Sequence, residues 1–279
     1  MPKIAVLQMN SGIDPEANLF AIEKAARAAS DEGAEALFTP EMSILLDRDR
    51  GRAADWIESS GPDEVAERLT NCAMEFGIDI ALGSMPVRLS MDGDDKRWAN
   101  RAMYFDRNCP GAVDPAIYDK IHMFDVELST GEAWRESGAY RPGDAAVSVE
   151  DTPVGRLGLA ICYDMRFPAL FEELGRRECD VISIPAAFTV PTGKAHWHVL
   201  LRARAIEAQA FVIAAAQVGK HADGRETYGH SLVVDPWGEV LLDMGGGAPG
   251  LAFCDINLDR IAEVRAQIPS LANRRKIPN

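Results

Sequence analysis

The sequence predicts a layered α/β protein, and three features of its 279 residues support this prediction. Short apolar runs of strand length alternate with amphipathic stretches of helical spacing from one end of the chain to the other. Runs such as Leu157–Cys162 carry no charged side chain, which is typical of strands covered on both sheet faces. No change in composition, internal repeat or low-complexity segment interrupts the chain, so we expect residues 1–279 to form one domain.

The individual elements follow from the spacing of the apolar residues. A strand is expected where apolar residues run together or alternate with polar ones, and a helix where they recur every three to four positions. The predicted strands are Lys3–Met9, Ala34–Phe38, Ile78–Gly83, Arg97–Asp106, Leu157–Cys162, Val181–Pro185, Phe211–Gln217, Ser231–Asp235 and Leu251–Asp255. The predicted helices are Pro15–Glu32, Pro62–Phe76, Pro168–Cys179 and Ala195–Ala210. A turn at Pro236–Gly238 is expected between hairpin partners, and Met91–Lys96 and Gly245–Gly250 are expected to be loop tips.

The composition is typical of a soluble globular protein, with 47% hydrophobic and 26% charged residues. No apolar run approaches the roughly 18 residues that a membrane span needs. The apolar stretch Ile4–Leu7 is too short for a signal peptide, so we expect a cytoplasmic protein without a membrane partner. A formal net charge of -14 disfavours nucleic acid and anionic lipid as partners, because both are polyanions.

Neither the cysteines nor the glycines indicate a metal or a cofactor. The five cysteines, at positions 72, 109, 162, 179 and 254, are an odd number without a CxxC pair, so no disulfide framework and no structural zinc is expected. The glycine cluster Gly245–Gly247 precedes Pro249 and no helix, so it lacks the context of a phosphate loop or a dinucleotide fingerprint.

Cys162 stands at the most informative position of the sequence. It ends a predicted buried strand and precedes the helix that Pro168 opens. The N-terminal end of a helix offers free backbone N–H groups and the positive end of the dipole, and both favour a thiolate over a thiol. The pattern indicates a nucleophile, although a small apolar side chain that fills the core would give the same local sequence.

Two carboxylates and a lysine lie near predicted strand ends. Glu41 follows the strand that ends at Phe38, where the sites of such sheets lie, and its alternative role is an acid at a helix N-terminus. Lys120 lies in an otherwise apolar segment and must be paired or functional, because a desolvated ammonium is costly. Its alternative role is a buried ion pair with Asp119 or Asp125. Glu136 by itself is typical of a loop surface.

A cysteine nucleophile needs a base, which is a histidine in many enzymes. The five histidines, at positions 122, 196, 198, 221 and 230, are scattered over predicted helix and loop segments. The sequence therefore shows no clear Cys–His pair.

Together these residues resemble the nitrilase superfamily of carbon–nitrogen hydrolases. Glu41 in FTPEMS, Lys120 in YDKIHMFD and Cys162 in GLAICYDMRFP match, in order, the Glu–Lys–Cys triad of that superfamily. The resemblance covers nearly the whole chain, and the stretches LLRARAIE, AAAQ and YGHS are similar to the Nit branch.

The resemblance implies a four-layer αββα sandwich, in which two sheets pack face to face with helices outside. The alternation of strands and helices alone would equally fit a doubly wound sheet. The resemblance also implies a homodimer or a higher homo-oligomer, formed through the outer helices.

The implied activity is that of an amidase that works through a thioester, without a metal or an organic cofactor. Cys162 attacks the amide carbonyl, while Glu41 accepts its proton, donates a proton to the departing ammonia and then activates water. A carboxylate with both tasks needs a raised pKa, which we expect burial to supply. Lys120 and the backbone N–H of Tyr163 are expected to stabilise the oxyanion, and Glu136 to position Lys120 and the substrate.

Three side chains are expected to hold the substrate. Arg166, four positions after Cys162, suits a two-point contact with a substrate carboxylate, as guanidinium does best. Its alternative role is a structural ion pair with Asp164 or Glu172. The resemblance further implies that Phe188 and Thr192 border the substrate.

The resemblance favours a small amide that bears a carboxylate. Deaminated glutathione is the leading substrate, and α-ketoglutaramate, the substrate of ω-amidases, is the nearest alternative. A nitrile hydrolase is disfavoured because the branch motifs indicate amides. An N-acyltransferase would share the triad but would pass the acyl group to an amine instead of water.

Overall fold

Two six-stranded β-sheets stack face to face at the centre of the protein. The computed structural model describes residues 1–89, 95–108, 115–127, 131 and 133–276. The strands in this part of the chain are β1 (Lys3–Gln8), β2 (Ala36–Phe38), β3 (Asp79–Val87), β4 (Ala99–Phe105), β5 (Ala116–Asp119), β6 (Asp125–Glu127), β7 (Ala133–Arg135), β8 (Val147–Thr152), β9 (Gly155–Leu159), β10 (Val181–Ser183), β11 (Phe211–Ala214), β12 (Val218–Lys220), β13 (Glu226–Tyr228), β14 (Leu232–Val234), β15 (Val240–Asp243) and β16 (Gly250–Asp255). The α-helices are α1 (Pro15–Asp31), α2 (Arg50–Ile57), α3 (Gly61–Phe76), α4 (Pro168–Arg176), α5 (Val190–Ala208) and α6 (Asp259–Gln267).

The two sheets have the same mixed pattern. The first sheet has the order β16-β1-β2-β3-β4-β5, and the second has the order β15-β14-β11-β10-β9-β8. In each sheet three central strands run parallel, β1-β2-β3 in the first and β9-β10-β11 in the second. The flanking strands are antiparallel. Two separate hairpins, β6-β7 and β12-β13, lie outside the sheets.

Successive side chains of a strand point to opposite faces of its sheet, and this alternation produces the layers of the fold. In β1, Ile4 and Val6 face a core shared with the second sheet, whereas Ala5 and Leu7 pack with residues of α1 and α3. Apolar residues of α4 and α5 join the shared core cluster from the second sheet, among them Trp197. Since successive strand residues point to opposite faces, each sheet is covered on both sides. The αββα sandwich is therefore confirmed, and a doubly wound single sheet is not what this chain forms.

Each predicted strand and helix overlaps an observed one, and the predicted turn at Pro236–Gly238 does join two hairpin strands. The turn at Pro236–Gly238 joins β14 to β15, a strand that the sequence analysis did not identify. The last strand, β16, pairs with β1 in the other sheet. Short or half-exposed elements were also missed, because their apolar pattern is weak: α2, α6, β5 to β8, β12 and β13. The predicted loop tip at Met91–Lys96 lies largely outside the described residues.

Gly83 in β3 lies where the two sheets come together. A Cβ atom at this position would lie 2.1 Å from the Thr39 carbonyl oxygen, 2.3 Å from the Pro40 carbonyl oxygen and 2.5 Å from the Pro185 Cβ. Two of these contacts are with backbone, which cannot swing aside. The strand exit that leads to Glu41 can approach β3 because residue 83 has no side chain.

Gly83→Ala should therefore destabilise the protein by about 1–3 kcal/mol, the usual cost of overpacking a dense interior. Thermal unfolding followed by circular dichroism measures the effect. Gly247→Ala is the matched control, because a Cβ atom there meets nothing within 4 Å, and it should change stability by less than about 0.5 kcal/mol. Equal melting temperatures for the two variants would contradict this account of the sheet junction.

Candidate active site

Glu41, Lys120 and Glu136 meet in one buried cluster. The Lys120 Nζ lies 2.8 Å from Glu41 Oε1 and 3.0 and 2.9 Å from the two carboxylate oxygens of Glu136. The Lys120 side chain is 2% exposed and the Glu41 side chain 7%. The alternative partners of Lys120 are engaged elsewhere, since Asp119 pairs with Arg101 and Asp125 binds Ser137.

The backbone around Glu41 is fixed from several sides. Glu41 follows β2 in a turn, not on a helix, and Met42 has a positive φ of 53°. The Met42 N–H donates to Ser84 Oγ, and the Gln217 side chain donates to the Glu41 carbonyl oxygen. The backbone N–H of Ala187, after β10, donates to Glu41 Oε2 at 2.9 Å. These contacts hold the carboxylate in one orientation at the strand exit.

The charges in the cluster set the pKa values of its members. Burial alone would raise the pKa of Glu41, but the adjacent Lys120 ammonium and the hydrogen bonds to the carboxylate outweigh it, so the pKa lies below the usual 4.5. Burial opposes the charged form of Lys120, yet Glu136 and Glu41 hold its pKa well above its ordinary value. The expectation of a raised pKa for Glu41 was therefore wrong, because a cation lies in contact with this carboxylate.

Cys162 begins a short 3-10 turn, Cys162–Arg166, and β9 ends three residues before it. Its φ is 46°, in the left-handed region that non-glycine residues rarely adopt. Its backbone N–H donates to the Pro185 carbonyl oxygen at 2.8 Å, so the neighbouring strand exit holds the turn. Such strain is found mainly where the surrounding structure enforces it, often at functional sites.

The Cys162 thiol lies beside the charged cluster, since Cys162 lines the same cavity as Glu41 and Lys120. Burial and the negative charge of Glu41 raise the pKa of the thiol well above its usual value, against the effect of Lys120. The expectation that the following helix favours a thiolate was therefore wrong: desolvation and the adjacent carboxylate outweigh the helix end, and the resting sulfur is a thiol.

A buried carboxylate, Asp164, braces the turn that carries Cys162. Its oxygens accept hydrogen bonds from the backbone N–H of Ile161 at 2.8 Å and from the backbone N–H of His122 at 3.0 Å. The Tyr118 hydroxyl donates to Oδ2 at 2.7 Å, and the His122 imidazole lies 2.7 Å from Oδ1. Asp164 therefore links the turn after β9 to the segment that follows β5 and contains Lys120.

Glu41, Lys120 and Glu136 line a cavity of about 480 Å³. This volume is in the usual range for a small-molecule site. Tyr163, Phe188 and Thr192 line this cavity together with Cys162, as expected for residues that border a substrate. Arg166 is not among the lining residues, and its contact with a substrate carboxylate stays a prediction. Its guanidinium lies over the rings of Phe188 and Tyr163 at 5.3 and 5.8 Å and hydrogen-bonds His196.

Asn100 was missed by the sequence analysis. It is fully buried in β4, and its Nδ2 donates to Glu41 Oε1 at 3.0 Å and to Glu136 Oε1 at 3.2 Å. The amide therefore lies between the two carboxylates and separates their negative charges. The available signal was an amide at an inward position of a predicted strand, which burial makes costly without a partner.

None of the five histidines, all of which the structure describes, lines the cavity. Three side chains elsewhere, His198, His230 and Asp243, have possible metal-ligand atoms within 4.8 Å of one another. Asp243 accepts hydrogen bonds from both imidazoles, at 3.0 and 2.9 Å, which accounts for the arrangement without an ion. None of the described helices is long and apolar enough to cross a membrane.

Sequence comparison identifies the family. A family model described as carbon-nitrogen hydrolase matches residues 3–266. The chain belongs to the carbon–nitrogen hydrolase family. This result confirms the resemblance to the nitrilase superfamily that Glu41, Lys120 and Cys162 indicated.

Two curated relatives of this carbon–nitrogen hydrolase have the same name. A Yersinia enterocolitica protein named deaminated glutathione amidase is 38% identical over 278 residues, which cover 98% of this chain and 92% of the relative. A Synechocystis sp. protein of the same name is 39% identical over 273 residues, 97% of both chains.

Solved structures of related hydrolases have the same fold. The C. elegans NitFhit protein superposes with a TM-score of 0.88 at 36% identity, over 98% of this chain and 65% of that longer protein. The amidase from Nesterenkonia sp. AN1 superposes with a TM-score of 0.76 at 26% identity, over 96% of this chain and 98% of that chain. The latter structure contains the product of Michael addition of acrylamide at the active-site cysteine of that amidase.

Asp164→Ala should destabilise this hydrolase and impair its active site together. The substitution leaves several buried donors without an acceptor, and each such donor costs about 1–3 kcal/mol. We expect a fall of at least about 3 kcal/mol in the free energy of unfolding, measured by urea denaturation. Asp144→Ala is the control, because Asp144 is exposed and has no side-chain hydrogen bond among the described residues. A folded Asp164→Ala protein with unchanged stability would contradict the bracing role.

Proposed function

We propose that this carbon–nitrogen hydrolase is an amidase for deaminated glutathione, with Cys162 as nucleophile, Glu41 as general base and acid, and Lys120 as oxyanion stabiliser. The presence of a thiol, a carboxylate and an ammonium around one cavity carries the proposal, since these are the parts that thioester chemistry needs. The shared name of the curated relatives supports the choice of substrate.

Acylation begins from a neutral thiol. Because the pKa of Cys162 is raised and that of Glu41 is lowered, a thiolate is not populated before the substrate binds. Proton transfer from the thiol to Glu41 therefore accompanies the formation of the carbon–sulfur bond. The proton then passes from Glu41 to the departing nitrogen, and the carbon–nitrogen bond breaks to leave a thioester on Cys162.

The oxyanion forms beside a cation that is already in place. An ammonium group has three N–H donors, and in Lys120 all three face carboxylate oxygens, one of Glu41 and two of Glu136. One of the two bonds to Glu136 gives way to the carbonyl oxygen of the substrate, which also accepts from the Tyr163 backbone N–H at the start of its helical turn. Glu136 keeps Lys120 charged and in position.

Hydrolysis of the thioester completes the cycle. Glu41, again a carboxylate, removes a proton from the attacking water, and Cys162 leaves as the proton returns to sulfur. In deaminated glutathione the scissile amide joins a five-carbon keto acid to cysteinylglycine. The first leaving group is therefore a peptide amine, whereas an ω-amidase releases ammonia.

The substrate proposal is tested by comparing two amides. The purified enzyme is given deaminated glutathione and α-ketoglutaramate side by side, and the released cysteinylglycine and ammonia are quantified. We expect a kcat/KM for deaminated glutathione at least about tenfold higher. A preference for α-ketoglutaramate would make the protein an ω-amidase instead, and no turnover of either amide would remove the proposal.

Cys162→Ala should abolish amide hydrolysis and leave the fold intact, because Ala keeps the packing of a small side chain but cannot form a thioester. Cys72→Ala, Cys179→Ala and Cys254→Ala are the controls and should keep activity, since none of these residues lines the cavity. Product release and circular dichroism are measured on all four variants. Substantial turnover by folded Cys162→Ala would refute the mechanism.

Glu41→Gln should remove turnover and also lower the pKa of Cys162. The variant loses the proton carrier and the negative charge that opposes ionisation of the thiol, while Lys120 remains beside the sulfur. Alkylation of Cys162 by iodoacetamide should therefore begin at lower pH than in the unmodified enzyme, as measured by mass spectrometry. Cys72 and Cys179 give an internal reference, because burial raises the pKa of each to about 12. An unchanged or higher pKa for Cys162 would contradict the charge arrangement.

We also propose a homodimer in the cytoplasm. The outer helix α5 exposes Val199 and Ile206, and the nearby turn exposes Trp237, a group of apolar side chains that a second copy could cover. The four cysteines in the described part of the chain are free, which fits a reducing compartment. Light scattering after size-exclusion chromatography measures the oligomeric state.

A further inference from the structure

Two guanidinium groups that line the cavity converge on a single buried carboxylate, that of Asp223. The Arg225 Nε donates to Asp223 Oδ2 at 2.6 Å, and the Arg48 Nε lies 4.0 Å from the same oxygen. Both guanidiniums also lie over the ring of Trp134, at 5.3 and 5.7 Å from its centroid. The two cations are therefore held close together by one shared anion and one shared aromatic surface.

This arrangement leaves one positive charge without a partner among the described residues. The nearby Asp47 does not supply the missing charge, because both of its oxygens bind Arg52, at 2.6 and 2.8 Å. Within the described part of the chain, Arg48 has no side-chain hydrogen bond, and Arg225 uses only its Nε. Among the described residues, the terminal nitrogens of both side chains thus have no hydrogen-bond acceptor and can bind an anion.

The arginines and the catalytic cluster share one cavity at different depths. Arg48, Trp134 and Arg225 line the same cavity as Cys162 and Lys120. The Arg48 side chain is 52% exposed, whereas the Lys120 side chain is 2% exposed. The Arg48 guanidinium therefore lies toward the mouth, where the part of a substrate farthest from the attacked carbonyl would extend, and Arg225, whose side chain is 17% exposed, lies deeper.

We propose that Arg48 and Arg225 form a carboxylate-binding subsite for the end of the substrate on the leaving-group side. This inference rests on the proposed function. Deaminated glutathione ends there in the carboxylate of its glycine residue, whereas α-ketoglutaramate is a primary amide with only hydrogens beyond its amide nitrogen. A carboxylate matches the planar donor fork of guanidinium and would neutralise the unpaired charge. The subsite thus selects the longer of the two amides.

The test is a substrate-by-variant comparison with Arg48→Gln. The substrates are deaminated glutathione, its analogue with a C-terminal carboxamide, and α-ketoglutaramate. Arg48→Gln should lower kcat/KM for deaminated glutathione about tenfold, mainly through KM, which corresponds to about 1.4 kcal/mol. The kcat/KM for the two amides without the terminal carboxylate should fall less than twofold. The unmodified enzyme should itself prefer deaminated glutathione to its carboxamide analogue.

Arg27→Gln is the matched control, because Arg27 is an exposed arginine that pairs with the exposed Glu75 and does not line the cavity. It should leave all three rates unchanged. An equal loss for all substrates with Arg48→Gln would show a structural role, and no loss with deaminated glutathione would show that the subsite is unused. Both results overturn the inference while the proposed function stands. Failure of the unmodified enzyme to hydrolyse deaminated glutathione would instead remove the proposed function, and this subsite with it.

Discussion

The ion cluster around Lys120 is the interaction on which the rest of the site depends. Burying an ammonium costs several kcal/mol, and here two carboxylates in direct contact offset that cost. Its three members come from three separate strand exits, after β2, β5 and β7, so the cluster forms only when both a sheet and a hairpin are in place. Removal of one partner would leave an uncompensated buried charge, which ties the geometry of catalysis to the stability of the fold.

The same cluster decides the protonation state of the nucleophile. Lys120 keeps Glu41 ionised, and ionised Glu41 keeps the Cys162 sulfur protonated. The thiolate is therefore disfavoured in the free protein, and in the proposed mechanism the proton leaves the sulfur as the carbon–sulfur bond forms. This arrangement protects a free cysteine from unspecific reaction, because the thiol is far less nucleophilic than the thiolate.

Close approach of the two sheets creates the place where these groups meet. Gly83 lets the exit of β2 and the exit of β10, at Pro185, come within contact distance of β3. Pro185 in turn accepts the hydrogen bond from Cys162, and Ala187 donates one to Glu41. The segment after β10, in the second sheet, thus positions both Glu41, which follows the first sheet, and Cys162, which follows the second. A chain with a net charge of -14 can still present positive charge locally, because Arg48, Lys120 and Arg225 line the cavity.

The sequence by itself determined the alternation of strands and helices, and its motifs identified the family and Glu41, Lys120 and Cys162. These features are local, because they depend on the spacing of apolar residues and on short motifs around single positions. The tertiary structure decided the pairing of β16 with β1, the contacts of Asn100, the pKa directions of Glu41 and Cys162, and the position of Arg166 outside the cavity. Each of these depends on residues far apart in the chain, and the charge or partner that such a residue contributes has no signature in the local sequence.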